Sequence, residues 1–95
     1  MSGYRISNEA KKDLQRIYHY GYEHFGEKQA DHYFWGLLEC FEKISKNPKQ
    51  YQSIDHIRIG YRRCVYQSDT IYYRIQPKGV EIMAILGGQD LDEWL

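Results

Sequence analysis

The residues best suited to chemistry are one histidine, three arginines and two tyrosines in the second half of the chain. They are His56, Tyr61, Arg62, Arg63, Tyr72 and Arg74. Cleavage of RNA without a metal needs a base for the 2′-hydroxyl, cations for the phosphorane charge and an acid for the leaving oxygen. The histidine could be the base, the arginines the cations and a tyrosine the acid. The alternative, which composition favours, is that the arginines pair with carboxylates of a protein partner and that the histidine is an exposed loop residue.

Arginine and tyrosine together are also typical of binding surfaces. Both residue types are favoured at protein interfaces, and the group formed by Arg62, Tyr72 and Arg74 fits such a use. The same group fits the stacking of nucleic-acid bases equally well. Three further tyrosines fall on apolar stripes and are expected in the core with their hydroxyls near the surface; they are Tyr18, Tyr33 and Tyr73.

The remaining histidines and the cysteines do not predict a metal site. The helical histidines are not arranged as an HExxH pair, and Cys40 and Cys64 are isolated from one another in the sequence. The Gly87-Gly88 pair follows a strand, but no capped helix comes after it, as a phosphate-binding loop requires. We therefore expect no metal, no cofactor and two reduced, apolar cysteines.

The arginines belong to a predicted three-stranded meander over Gly60 to Leu86. Polar, proline and glycine residues at 67–69 and 76–79 interrupt runs rich in Val, Ile and Tyr. In the middle strand Ile71, Tyr73 and Ile75 share one face, while Tyr72 and Arg74 share the other. The last strand, from residue 80 to 86, is apolar at nearly every position, which predicts a central, doubly covered strand or one covered by a partner.

Two amphipathic helices precede the meander. Ser7 can cap a helix over about residues 8–25, Gly26 can end it, and Asn47-Pro48 stops a second helix that begins near Glu27. Such a short turn makes the helices an antiparallel hairpin. A close approach of the backbones at Gly21 and Gly36 would explain a glycine inside the second helix. Residues 4–6 read as a short strand and residues 48–57 as a loop, so the fold is α+β, with the hairpin on one face of a small, mainly antiparallel sheet.

Size and charge narrow the classes of function. The chain has 95 residues, which is enough for one domain, residues 1–95. Residues 57–78 carry five basic and one acidic side chains, whereas residues 79–95 carry four acidic side chains, so the neutral total hides a basic sheet and an acidic tail. A pI near 6.9 argues against a protein that binds nucleic acid by neutralising many phosphates. Without an apolar run of membrane-spanning length or a leader-like N-terminus, we expect a cytoplasmic protein.

An ordered set of short motifs runs along nearly the whole chain. The set comprises Ser7-x-x-Ala10, Asn47-Pro48, Ile57-x-x-Gly60-Tyr61-Arg62-Arg63, Ile71-x-Tyr73-Arg74-Ile75, Val80-Glu81-Ile82 and Ile85-Leu86. In this order and spacing the chain resembles the ParE branch of the RelE/ParE toxins. The resemblance implies the toxin of a bacterial type II toxin–antitoxin pair, with a ParD-like antitoxin as partner. It also implies one of two targets, because the ParE branch poisons DNA gyrase and the RelE branch cuts mRNA on the ribosome.

Two departures from the family favour the reading without catalysis. Family members often carry a histidine after the last strand, where this chain has Gly87-Gly88, and ribosome-directed members are markedly basic. We expect an acidic, amphipathic segment of the antitoxin to contact Arg62, Arg63, Tyr72 and Arg74. Contact with the target is expected from the tail, through Asp90, Trp94 and Leu95. The alternative is a tail folded back over the edge of the sheet. The alternatives are an mRNA endonuclease using Arg62, Arg74 and His56, and an inert or partner-only scaffold.

Overall fold

A computed structural model describes residues 3–87 as two helices packed on a five-stranded sheet. The elements are β1 (Tyr4–Ile6), α1 (Asn8–Phe25), α2 (Glu27–Lys46), a 3₁₀ turn (Pro48–Gln50), β2 (Gln52–Ser53), β3 (Tyr61–Tyr66), β4 (Asp69–Gln76) and β5 (Gly79–Leu86). The strand order is β1-β5-β4-β3-β2, with β1 parallel to β5 and every other pair antiparallel. The predicted α+β architecture is confirmed, and both helices have the predicted bounds. Neither helix of residues 3–87 is long and apolar enough to cross a membrane.

The main core lies between the helical hairpin and one face of the sheet. Its fully buried members are Ala10 from α1, Leu37, Phe41 and Ile44 from α2 and Ile71, Tyr73, Ile82 and Ile85 from the sheet. The hydroxyl of Tyr73 donates a hydrogen bond to the carbonyl of Pro48, so this tyrosine is in the core with its polar end satisfied. Cys40 and Cys64 are free thiols packed against the same core.

The cap residue of α1 and two side chains of the helix satisfy the backbone of β5 where β1 does not reach. Strand β1 pairs only with residues 80–82 of β5. Beyond them, Ser7 Oγ donates to Met83 O at 3.0 Å, Asp13 Oδ2 accepts from Ile85 N at 2.9 Å, and an Arg16 Nη donates to Ile85 O at 2.9 Å. Ser7 Oγ also accepts from the amide of Ala10 at 3.0 Å, so the predicted cap of α1 is confirmed and is tied to the sheet. Burial raises the pKa of the Asp13 carboxyl, while the hydrogen bond from the Ile85 amide opposes the rise.

The connection before β3 is more ordered than the sequence indicates. The expectation of a plain loop over residues 48–57 is wrong, because this stretch holds the 3₁₀ turn and β2. After β2, Ile54 is fully buried on the sheet face away from the helices, in a second apolar cluster with Tyr61, Tyr72, Ala84 and Leu86. A register shift between Tyr72 and Tyr73 adds one residue to β5 and brings Ala84 onto this face.

The two helical glycines have different neighbours from those expected. Gly21 does approach the other helix, where a methyl group would lie 3.5 Å from Cα of Ala30. Gly36 instead faces β3, and a methyl group there would overlap the hydroxyl of Tyr66 and lie 2.6 Å from its Cζ. The expectation that Gly21 and Gly36 face each other is therefore wrong. Gly36 makes room for a tyrosine ring from the sheet.

Replacing Asp13 tests the contact between α1 and β5. Asp13→Ala leaves the buried amide of Ile85 without its acceptor, and we expect a loss of about 1–3 kcal/mol in the free energy of unfolding. Asp13→Asn is the matched control, because its amide oxygen can still accept, and its loss should be smaller. Urea unfolding followed by circular dichroism measures both. Equal losses in the two variants would contradict a role as acceptor.

Replacing Gly36 tests the packing of Tyr66 against α2. Gly36→Ala improves helix propensity but collides with the ring, so we expect a net loss of about 1–3 kcal/mol. Gly21→Ala meets only ordinary contact distances and should be neutral or stabilising by up to about 1 kcal/mol. In a Tyr66→Ala background the Gly36→Ala loss should disappear. A loss that persists there would assign the cost to the helix itself.

Candidate partner-binding surface

A buried carboxylate organises the exposed face of the sheet near the β4–β5 turn. Glu81 Oε1 accepts from Arg74 at 3.1 and 2.9 Å and from the amide of Gln76 at 3.3 Å, and Oε2 lies 3.4 Å from an Nη of Arg5. The β-hairpin produces this pairing, because the turn pairs Gln76 with Gly79 and thereby sets Arg74 opposite Glu81.

The two arginines of this cluster differ in how closely they are bonded to Glu81. The Glu81 side chain is only 12% exposed, and its hydrogen bonds from Arg74, foremost, and from Arg5 lower the pKa of the carboxyl. Arg74 gives the carboxylate two hydrogen bonds at short range. Arg5 makes one long contact and is 83% exposed. Arg5 therefore keeps most of its donors available to a partner.

The three predicted sheet arginines do not form a single patch. Arg62 faces the helix side of the sheet, where an Nη donates to the carbonyl of Tyr51 at 2.7 Å. Arg63, one residue later on β3, faces the opposite side, where Nε donates to the side chain of Gln52 at 3.0 Å. Arg74 lies on the same face as Arg63 and is paired with Glu81. The structure thus brings Arg63 and Arg74 to one face and turns Arg62 to the other.

Tyr72 lies on the face of Arg63 and Arg74 but is only 3% exposed. Its ring belongs to the second apolar cluster, which Ile54 covers. A direct contact between Tyr72 and an antitoxin stays a prediction. In the structure Tyr72 is buried beneath this surface.

The groups considered for acid–base chemistry are dispersed. His56 lies in the exposed connection between β2 and β3. Tyr61 is 9% exposed in the second cluster, and the guanidinium of Arg58 lies 5.0 Å from its ring centroid. The cations that a base would need are divided between the two faces of the sheet. Within residues 3–87 there is also no group of three His, Cys, Asp or Glu side chains that could hold a metal ion.

A second surface, the hairpin groove, lies between the helical hairpin and the β3–β4 turn. A groove there runs between α1, α2 and the β3–β4 turn, and its lining includes Ile17, Tyr20, Phe25 and Tyr33. Tyr20 and Phe25 are 57% and 66% exposed, and Tyr33 donates to Asp69 at 2.7 Å across the groove. Gly87, the last described residue, also lines it. The predicted target contacts, Asp90, Trp94 and Leu95, lie outside the described residues.

Arg5 and Glu81 were not among the residues predicted from the sequence. The signal was present, because Glu81 is a single acidic residue in an apolar strand, and counting back through a tight turn places it opposite Arg74. Arg5 was hidden because its pairing depends on a parallel contact between the first and last strands. The hairpin groove was missed because its two sides come from segments far apart in the chain.

Comparison with known proteins places the chain in a family. A family model described as the ParE toxin of the type II toxin–antitoxin system parDE matches residues 4–91. Toxin ParE1 of Caulobacter vibrioides is 37% identical over 86 residues, covering 90% of this chain and 88% of that protein. Toxin ParE1 of Mycobacterium tuberculosis is 30% identical over the same shares of the two chains.

A solved structure shares the fold. The structure described as the chromosomal ParDE toxin–antitoxin system from P. aeruginosa superposes with a TM-score of 0.80 at 18% identity, covering 92% of this chain and 96% of that one. Its helices and mixed sheet agree with those described above. On the family match and the identity to the two ParE1 toxins, the chain belongs to the ParE toxins of type II toxin–antitoxin systems.

Proposed function

We propose that this ParE-family toxin acts by binding, that its target is DNA gyrase and that a ParD-like antitoxin neutralises it. The observation that carries the proposal is that two of the sheet arginines, Arg62 and Arg74, make contacts that hold the fold together. Arg62 holds the chain before β2, and Arg74 holds Glu81, so neither is gathered around a general base. An RNA-cleaving site would need these groups to converge on one phosphate.

The exposed surfaces support an antitoxin partner. The hairpin groove offers exposed aromatic side chains, which provide large apolar contact area, and the open face of the sheet offers Arg63 and Arg5. An amphipathic, acidic segment could lay its apolar side chains in the groove and its carboxylates toward the arginines. Such a segment would fold as it binds, so a few buried anchors should dominate its affinity. A gyrase target places the proposed site of action in the cytoplasm.

The target is tested with two assays run in parallel. The purified chain is added to gyrase supercoiling of plasmid DNA and to ribosomes translating a reporter mRNA. We expect loss of supercoiling, intact mRNA and reversal of the inhibition by the antitoxin. Codon-spaced cuts in the mRNA with normal supercoiling would overturn the proposal in favour of an mRNA endonuclease of the RelE type.

The role of the tail is tested by replacing its apolar end. The double variant Trp94→Ala, Leu95→Ala should weaken gyrase inhibition by about tenfold or more, because large apolar anchors carry most of the energy of an interface. Its affinity for the antitoxin should stay unchanged. Ile59→Ala is the control, since Ile59 is 87% exposed in the loop before β3. Equal inhibition by the tail variant and the parent would remove the tail from the target contact. Asp90→Asn tests the remaining predicted contact in the same assay.

Two of the predicted antitoxin contacts, Arg63 and Arg62, lie on opposite faces of the sheet, so their variants can be compared. Arg63→Ala should weaken antitoxin binding by roughly 1 kcal/mol or more with little loss of stability, because its guanidinium is exposed and bonded only at the surface. Arg62→Ala should mainly destabilise the fold, because it removes the hydrogen bond to Tyr51. Calorimetric titration and urea unfolding of both variants make the comparison. Weaker antitoxin binding in Arg62→Ala at unchanged stability would reverse the assignment.

A further inference from the structure

The two cysteines of the chain lie on elements that the fold packs against the same core. Cys40 is on α2 and Cys64 is on β3, and both are free, half-buried thiols. Neither belongs to the Glu81 cluster or to the lining of the hairpin groove. Whether their sulfur atoms can react with each other depends on how α2 is placed along β3.

Helix α2 runs antiparallel to β3, and its contacts show the register. In the first half of the helix, Tyr33 donates to the carbonyl of Tyr66 at 3.3 Å, and Gly36 lies against the Tyr66 ring. Shortly after the helix ends, the carbonyl of Tyr51 accepts from Arg62 at 2.7 Å. As the chain advances along α2, it therefore passes from the last residue of β3 toward the first.

This register sets Cys40 opposite Cys64. Cys40 comes four residues after Gly36, an advance of about 6 Å along a helix, and Cys64 comes two residues before Tyr66, a step of about 7 Å along a strand. Cys64 faces the helix side of β3 like Tyr66, because alternate residues of a strand point the same way. Burial raises the pKa of both thiols, and the nearby Cys40 adds to the rise at Cys64. The two thiols are therefore neighbours between α2 and β3.

We propose that Cys40 and Cys64 form an oxidation site, at which a small-molecule disulfide converts the two thiols into a cross-link between α2 and β3. One thiolate attacks a sulfur of the small disulfide, so that a mixed disulfide forms and one small thiol leaves. The second thiolate then attacks the protein sulfur of the mixed disulfide and releases the second small thiol. The protein loses two protons and two electrons, and the small disulfide gains them.

The cross-link acts on the stability of the fold. It closes a loop that contains the end of α2, the 3₁₀ turn, β2 and the buried Ile54. Closing such a loop removes conformational freedom from the unfolded chain. The oxidised toxin should therefore resist unfolding better than the reduced toxin, while the residues of the Glu81 cluster and the hairpin groove keep their contacts.

Mass spectrometry tests whether the cross-link forms. The reduced toxin is incubated with oxidised glutathione, the remaining thiols are blocked with an alkylating reagent, and the intact mass and the peptide masses are measured. We expect a product that is lighter than the parent by two hydrogen atoms and whose digest joins Cys40 to Cys64. In denaturing urea the ratio of this product to glutathione adducts should fall at least tenfold, because the fold no longer holds the thiols together.

Three results of this experiment would overturn the inference. The first is glutathione on both cysteines of the folded toxin without a cross-link. The second is a pair of thiols that stays fully open to alkylation after prolonged oxidation. The third is a cross-link that forms as readily in urea, or between two copies of the chain, as within the folded toxin.

Urea unfolding tests the effect on stability. The midpoint of unfolding of the oxidised toxin should lie about 1 M or more above that of the reduced toxin. Cys40→Ser and Cys64→Ser are the matched controls, since each keeps one thiol and should show no rise after the same treatment. The parent is compared with itself in two redox states, so the result does not require the variants to be as stable as the parent. An unchanged or lower midpoint in the cross-linked toxin would mean that the cross-link strains the fold, and would overturn the register on which it depends.

Discussion

The fold depends on how α1 completes the edge of β5. Strand β1 is three residues long and pairs with only the first half of its neighbour. A buried edge with unbonded amides and carbonyls would cost several kcal/mol, so the second half needs other partners. The cap residue Ser7 and the α1 side chains of Asp13 and Arg16 provide them. These contacts fix α1 on the sheet, and with it the side of the sheet that the helical hairpin covers.

That choice of side determines which residues remain for partners. Because the hairpin and the main core occupy one face, Arg62 is turned inward and used to hold the chain before β2. The other face receives Arg63, Arg74 and Arg5, but the loop that carries Ile54 closes part of it over Tyr72. Within residues 3–87 this face keeps a polar strip around Glu81 exposed, and the hairpin groove is open between the helices and the β3–β4 turn.

The sequence predicts the parts of the fold that have local causes. Helix α1 begins after the cap at Ser7, α2 ends before Asn47-Pro48, and the breaks in the meander follow proline, glycine and polar residues. Contacts between distant segments were not predictable in the same way. Strand β2 is too short to show a period, the burial of Tyr72 depends on Ile54 folding back, and Gly36 is explained by a ring from β3. The sequence did not predict that the arginines of the candidate surface are divided between two faces of the sheet.

The Glu81 cluster leaves an exposed cation on a chain whose net charge is zero. An isolated buried carboxylate would be costly, and Arg74 satisfies it at short range. Arg5 reaches the same carboxylate through one long contact. This contact restrains the guanidinium but leaves most of it exposed. A side chain already held in place loses less conformational entropy when it binds than a free one does. The acidic residue in β5 thus restrains a cation whose side chain stays largely exposed.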